Sequence, residues 1–235
     1  MTRAALVAGG SSGIGREVAR TLAADGHSVT VVARRAERLE AAARELPGES
    51  HAVAADLTSE HEIARAVAAH RERFGRLDTL VNSAGYGGPR APIDEQDVER
   101  IDRVLNADLR AAVLLTRECA PLLRAAGAEH GKALVVNVAS AAGRVGLGGI
   151  AAYSAAKGGT IAFGRSMAAE LAGAGVQVTT LIPGYVDTPM SEWVEEPRDE
   201  LLRPSDLAEA VRLLLRVSPA CHIPELRLER RAGPV

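Results

Sequence analysis

The chain has 235 residues, with 28 Lys+Arg against 30 Asp+Glu, a formal charge of −2 and 47% hydrophobic residues, values expected of one globular domain spanning residues 1–235. Balanced charge and a pI near 6.3 exclude a nucleic-acid partner gripped by a strongly basic face, and no apolar run of about 18 residues exists to cross a membrane. Only two cysteines, Cys119 and Cys221, occur, far apart, and the histidines show no metal spacing, so neither a disulfide scaffold nor a metal site is expected and a cytoplasmic setting is the default.

Short apolar runs alternate with longer stretches of helical period. In chain order the predicted elements are strand 4–8, helix 13–24, strand 28–32, helix 36–46, strand 51–54, helix 59–74 and strand 79–82. They continue with a helical stretch 93–126 in which Pro121 is a candidate break, strand 132–138, helix 151–172, strand 176–182, helix 204–216 and strand 223–228. Strands separated by helices read as βαβ units, and several strands are apolar throughout, as in a parallel sheet covered on both faces. The fold class that follows is α/β: a single-domain, Rossmann-type, doubly wound parallel sheet of about seven strands.

The first strand runs into Gly9-Gly10-Ser11-Ser12-Gly13-Ile14-Gly15 and then an amphipathic helix. Glycines there let the backbone turn tightly and approach a pyrophosphate, whose charge the free N–H groups and dipole of the helix start favour. In this strand–turn–helix setting the Gly-x-x-x-Gly-x-Gly spacing predicts dinucleotide binding by Gly9, Ser11, Ser12, Gly13, Ile14 and Gly15, against the plainer reading of a turn that merely needs glycine. The same letters satisfy Gly-x-Ser-x-Gly, the nucleophile elbow of an α/β-hydrolase, with Ser11 as nucleophile. That alternative needs a later acid and histidine, and His222, its one candidate near the carboxyl end, precedes the last predicted strand.

The second strand ends Val31-Val32-Ala33-Arg34-Arg35, where a NAD-binding fold places an acid on the adenosine ribose. With Ala33 there and no acid, the 2′-phosphate of NADP meets no repulsion, and Arg34, with Arg35, can bind it through charge-assisted hydrogen bonds. NADP(H) is therefore expected over NAD(H), although Arg34, Arg35 and Arg38 also read as the solvated start of a helix.

Of the 28 basic residues, 26 are Arg and two are Lys, Lys132 and Lys157. Tyr153 and Lys157 stand at i and i+4 in a predicted helix, which puts both on one face. A nearby ammonium favours phenolate and lowers the tyrosine pKa from about 10 toward a usable general acid and base; the bland reading is an interior Tyr with a surface Lys. Ser140 follows the strand Leu134-Val135-Val136-Asn137-Val138, where ligands bind in parallel sheets, and could donate a hydrogen bond to a carbonyl becoming an alkoxide.

Together these residues resemble the short-chain dehydrogenase/reductase family over nearly the whole chain. Gly9, Gly13 and Gly15 match its cofactor turn, and Asp56-Leu57 its element beside the adenine. Asn82-Ser83-Ala84-Gly85 is similar to its Asn-Asn-Ala-Gly element, so Asn82, Ala84 and Gly85 join the cofactor set. Asn106, Ser140, Tyr153 and Lys157 match its catalytic tetrad. Pro183-Gly184-Tyr185-Val186-Asp187-Thr188 looks like its nicotinamide segment, implying Pro183, Gly184, Val186 and Thr188 as contacts. The resemblance implies interconversion of a carbonyl and an alcohol by hydride transfer, with Tyr153 as general acid and base, Ser140 steadying the oxygen, Lys157 holding the nicotinamide ribose and Asn106 positioning a water.

Three positions depart from the pattern. Ala8 replaces the usual Thr, Ser83 the second Asn, and Ser12 the basic residue of many NADP enzymes. By family analogy, 189–203 is a short substrate lid, with Tyr86, Val145, Leu147, Tyr185, Met190 and Trp193 as pocket candidates for a small or medium carbonyl with apolar parts. The ending Ile223-Pro224-Glu225-Leu226-Arg227-Leu228 lacks a Gly-rich carboxyl end and looks closer to hydroxy-acid and general alcohol dehydrogenases than to ketoacyl reductases. The family's oligomer-building helices imply a homodimer or homotetramer. A NAD-dependent relative, a hydrolase using Ser11 and an NADP sensor without turnover stand as alternatives.

Overall fold

Apolar residues at nearly every strand position require helices on both sides, and the computed structural model, which describes residues 2–88 and 90–231, has them. Strands β1 (Ala4–Ala8), β2 (Ser28–Ala33), β3 (Ser50–Ala54), β4 (Thr79–Asn82), β5 (Ala133–Val138), β6 (Val176–Pro183) and β7 (Glu225–Leu228) form one parallel sheet. Their order is β3-β2-β1-β4-β5-β6-β7. The register sets Val7 opposite both Val31 and Val81, and Val136 opposite Thr179.

The helices are α1 (Gly13–Ala24), α2 (Ala36–Arg44), α3 (Glu60–Phe74), α4 (Val98–Leu105), α5 (Ala111–His130), α6 (Ala142–Val145), α7 (Ala151–Leu171) and α8 (Pro204–Arg216). Strand alternation divides the core between the two faces. Ala5, Val7, Leu134 and Val136 pack with Val18 and Leu22 of α1, Leu39 of α2 and Val211 of α8. Leu6, Ala8, Ala133 and Val135 pack with Ile63 of α3, Leu115 and Leu123 of α5 and Leu171 of α7. Close approach of α7 depends on Gly164, where a Cβ would lie 2.2 Å from Thr180 Oγ1.

Local chemistry explains where elements differ from the predicted ones. Ser59 is the cap of α3 rather than its first residue, accepting from the Glu62 N–H, and Gly75 ends that helix at φ 70°. Pro121 does not break α5. The irregularity falls upstream, where Asn106–Arg110 forms a π turn joining α4 to α5, with the Ala111 N–H bonded to the Asn106 carbonyl. The four-residue α6 was not predicted; it is too short to show a helical period. Strand β7 starts at 225, after Pro224, whose ring leaves no N–H for a ladder.

Lys132, the first residue of the predicted strand 132–138, lies just before β5 and has a specific role. Its ammonium is buried and donates to the carbonyls of Leu214 and Val217 at 2.6 and 2.7 Å, closing the carboxyl end of α8.

His70 of α3 is fully buried. Its Nε2 lies 2.9 Å from the Arg76 carbonyl, which can only accept, so Nε2 carries the proton and Nδ1 accepts from the Thr30 hydroxyl at 2.7 Å. Burial pushes its pKa from 6.5 down to about 4. The unfolded chain thus binds this proton first, so the stability that neutral His70 provides is complete above 6.5 and is lost as pH falls toward 4. Urea unfolding of the wild type between those pH values is expected to lose about 3 kcal/mol to this group, and His70→Gln to flatten that part of the profile.

Candidate active site

Between β1 and β4 the strand order reverses, so the loops leaving their carboxyl ends diverge and open a crevice. A cleft of about 330 Å³ lies there. One end is lined by Gly9, Ser11, Ser12, Gly13 and Ile14 of the first turn, Arg34 and Arg35 after β2, Asp56 and Leu57 after β3, and Ala84 and Gly85 after β4. Pro183, Gly184, Val186 and Thr188 after β6 complete the wall. Gly15 lies behind the turn rather than on its surface: a Cβ there would come 2.4 Å from the Gly9 carbonyl oxygen. Gly9 itself, at φ 79°, would drive a Cβ to within 2.8 Å of the Ser83 carbonyl oxygen. These contacts leave room for a ligand and none for side chains. The Ser12 side chain does not cap α1 and no acid occupies its first turn, so the helix start offers uncompensated N–H groups to an anion.

Asp56 accepts from the Thr58 N–H and hydroxyl, both at 2.9 Å. These bonds, with a contribution from Arg34, hold its carboxyl below the usual range. Asn82 does not reach the cleft. Its buried amide donates to Thr116 and Asn137 at 3.1 and 2.8 Å, linking β4, β5 and α5 beneath the floor.

At the other end α7 presents Tyr153 and Lys157 beside Ser140, all three lining the cleft. Lys157 Nζ donates to the Val138 carbonyl at 3.1 Å and lies 5.6 Å from the centre of the Tyr153 ring. Asn106 is absent from the lining. Its place at Lys157 is taken by Asp108, two residues further on, whose Oδ1 is 3.1 Å from Nζ, with both side chains almost wholly buried. The π turn carries Asp108 inward, and Thr160 Oγ1, 3.0 Å from the Asp108 carbonyl, and the Tyr86 N–H, 2.9 Å from Oδ2, fix it there. A Cβ on Gly85 would fall 2.6 Å from Oδ1, so that glycine admits the pair. The one signal for Asp108 in the sequence is an acid inside an apolar helical stretch.

Burial would push Lys157 down, but the Asp108 carboxylate and Tyr153 outweigh it and the ammonium lies above its ordinary range. For Tyr153 burial is the largest influence and raises the phenol. Lys157 opposes it, as expected from the sequence, but Asp108 adds to the rise, and the net direction is upward.

Of the pocket candidates, Tyr86, Leu147, Tyr185, Met190 and Trp193 line this end, whereas Val145, on the outer side of α6, is 57% exposed and does not. Arg90, Arg103 and Ile150 line it unpredicted. The segment over the cleft is closed by a bridge between Val186 and Leu202 and by an Arg198–Asp187 ion pair at 3.2 Å. Ser11 has no hydrolytic partner in His222, whose ring bonds the Val178 carbonyl at 2.9 Å, near the start of β6, whereas the cleft lies at the carboxyl end of that strand.

The family model described as short chain dehydrogenase matches residues 3–199. A cis-4-hydroxycyclohexanecarboxylate dehydrogenase of Sinomonas cyclohexanicum is 35% identical over 224 residues, covering 90% of this chain and 88% of that protein. The structure of a 3-ketoacyl-(acyl-carrier-protein) reductase from Brucella melitensis with NADH superposes with a TM-score of 0.91 at 32% identity, covering 97% and 96% of the two chains. That of a variant actinorhodin polyketide ketoreductase with NADPH gives 0.86 at 33% identity, with the same coverage. Among the described residues no helix is long and apolar enough to cross a membrane.

Proposed function

This chain belongs to the short-chain dehydrogenase family and is an oxidoreductase, and we propose that it interconverts a carbonyl compound and an alcohol with NADP(H) in preference to NAD(H). The observation that carries this reading is the meeting of Tyr153, Ser140 and Lys157 at one end of a cleft whose other end suits a dinucleotide. Gly9 and Gly15 permit close backbone approach, the start of α1 is uncapped, and Arg34 rather than an acid follows β2. A nicotinamide cofactor held there would supply or accept the hydride.

The chain's own residues hold the oxygen and move its proton. Ser140 donates a hydrogen bond to the substrate oxygen, and Tyr153 protonates that oxygen in reduction and recovers the proton in oxidation. Lys157 holds the ribose hydroxyls and stabilises phenolate. Asp108 is a positioning residue, aiming the ammonium and keeping it charged in place of the expected Asn106. Arg34, with Arg35, binds the 2′-phosphate, Asp56 and Leu57 border the adenine, and Val186 and Thr188 border the carboxamide. The 189–203 segment acts as lid of a single cytoplasmic domain. Ala151, Ala155 and Ala162 of α7 are exposed, which supports a homodimer or homotetramer that uses this helix, one of the two, at 106–126 and 151–172, where the family often builds such interfaces.

Tyr153→Phe is expected to lose about 10²- to 10⁴-fold in turnover while NADPH still binds, as followed by cofactor fluorescence; undiminished turnover overturns the assignment. Asp108→Asn removes a charge that raises both Tyr153 and Lys157, so the kcat/KM profile for alcohol oxidation should move as a whole to lower pH. Arg34→Ala should lower the NADP/NAD ratio of kcat/KM about 10- to 150-fold, the value of one charged hydrogen bond. Light scattering should return a multiple of the 24.5 kDa chain mass.

A further inference from the structure

The catalytic end of the cleft is lined by three cations, Arg90, Arg103 and Lys157; among the described lining residues the one carboxylate, Asp56, stands at the far end beyond β3. Arg103 is paired with Glu99 at 2.9 Å and Lys157 with Asp108 at 3.1 Å. Arg90 has no carboxylate partner among the described residues.

Its surroundings hold it in place without neutralising it. The guanidinium lies over the indole of Trp193, 4.2 Å from the ring centre, and one of its nitrogens is 3.3 Å from the Tyr185 hydroxyl. Tyr185 and Trp193 meet edge to face at 5.7 Å. On the other side Arg90 abuts the turn before α7, where a Cβ on Gly149 would lie 3.4 Å from its own, and the Ala91 N–H bonds the Gly149 carbonyl at 3.0 Å. Arg90 therefore spans both walls of the pocket that Tyr153 serves. Stacking uses the face of a guanidinium and leaves its edge donors for a planar, bidentate acceptor. Arg90 is exposed to solvent, and Leu147, Ile150 and Met190, which line the same end, supply no counter-charge.

We propose that Arg90 is a specificity-determining residue that binds a carboxylate on the substrate, making the substrate class oxo acids and their hydroxy-acid partners. The proposal rests on the carbonyl–alcohol reading above. An arginine that only latched the segment bearing Trp193 would affect charged and neutral substrates alike, and this difference supplies the test.

Pyruvate, acetoacetate and levulinate, each beside its methyl ester, are assayed with NADPH, and kcat/KM is read as an acid-to-ester ratio. Wild type should favour at least one acid over its ester, and Arg90→Gln should lower that ratio about tenfold or more. Trp193 is the only tryptophan in the chain, so its emission gives a second readout that needs no turnover. The favoured acid should change that emission in the wild type and not in Arg90→Gln. Preference for every ester, or a ratio that Arg90→Gln leaves unchanged, overturns the proposal. If nothing in a wider carbonyl and alcohol panel is turned over while the acids still change the emission, the carbonyl–alcohol reading fails and the anion site stands.

Discussion

Everything at the site depends on one topological constraint, the pairing of β1 with β2 on one side and β4 on the other, all parallel. A right-handed connection from β1 to β2 puts α1 on one face of the sheet, and the one from β3 to β4 puts α3 on the opposite face. The chain leaving β1 and the chain leaving β4 must then part at their carboxyl ends. The gap lies where Gly9–Gly15 and Ser83–Gly88 face each other, and the loops after β5 and β6 extend its walls. Tyr153 and Lys157 lie on α7 and Asp108 on the π turn, both on the α3 face, while Ser140 follows the end of β5.

A second interaction decides how that opening behaves. The Asp108–Lys157 pair is buried on both sides, and such pairs are poor sources of stability: similar-sized apolar residues often serve as well, whereas loss of one partner costs about 3–5 kcal/mol. Its value lies in placement. It holds an ammonium 5.6 Å from the Tyr153 ring centre, away from water, and sets opposed charges beside the phenol, which burial raises most, Lys157 lowers and Asp108 raises.

Periodicity showed the fold well because burial on two faces leaves continuous apolar runs that few other structures require. The Gly-x-x-x-Gly-x-Gly turn and the Tyr153–Lys157 spacing were equally legible, since each depends on neighbours within a few residues. Asp108 was not. Its role arises from a π turn that shifts side-chain phase by part of a helical turn, and no local pattern distinguishes this from an ordinary helix, so the neighbouring Asn106 was the natural choice. Arg90 was hidden among 26 arginines. Only the packing of Trp193 and Tyr185 against it, from a segment almost 100 residues away, sets it apart. Asn82 failed as a cleft residue for the opposite reason: its backbone is at the right strand end, but its amide bonds across the sheet.

The two lysines have one more consequence. Lys132 and Lys157 are 7% and 5% exposed, one closing α8 and the other facing Asp108, so every other cationic side chain of permanent charge on this molecule is a guanidinium. To a reagent that seeks primary amines, the side chains of the folded protein therefore offer almost nothing. Lysine labelling should be slow in the folded state, and its onset would report opening around the end of α8 or entry of the reagent into the cleft beside Lys157.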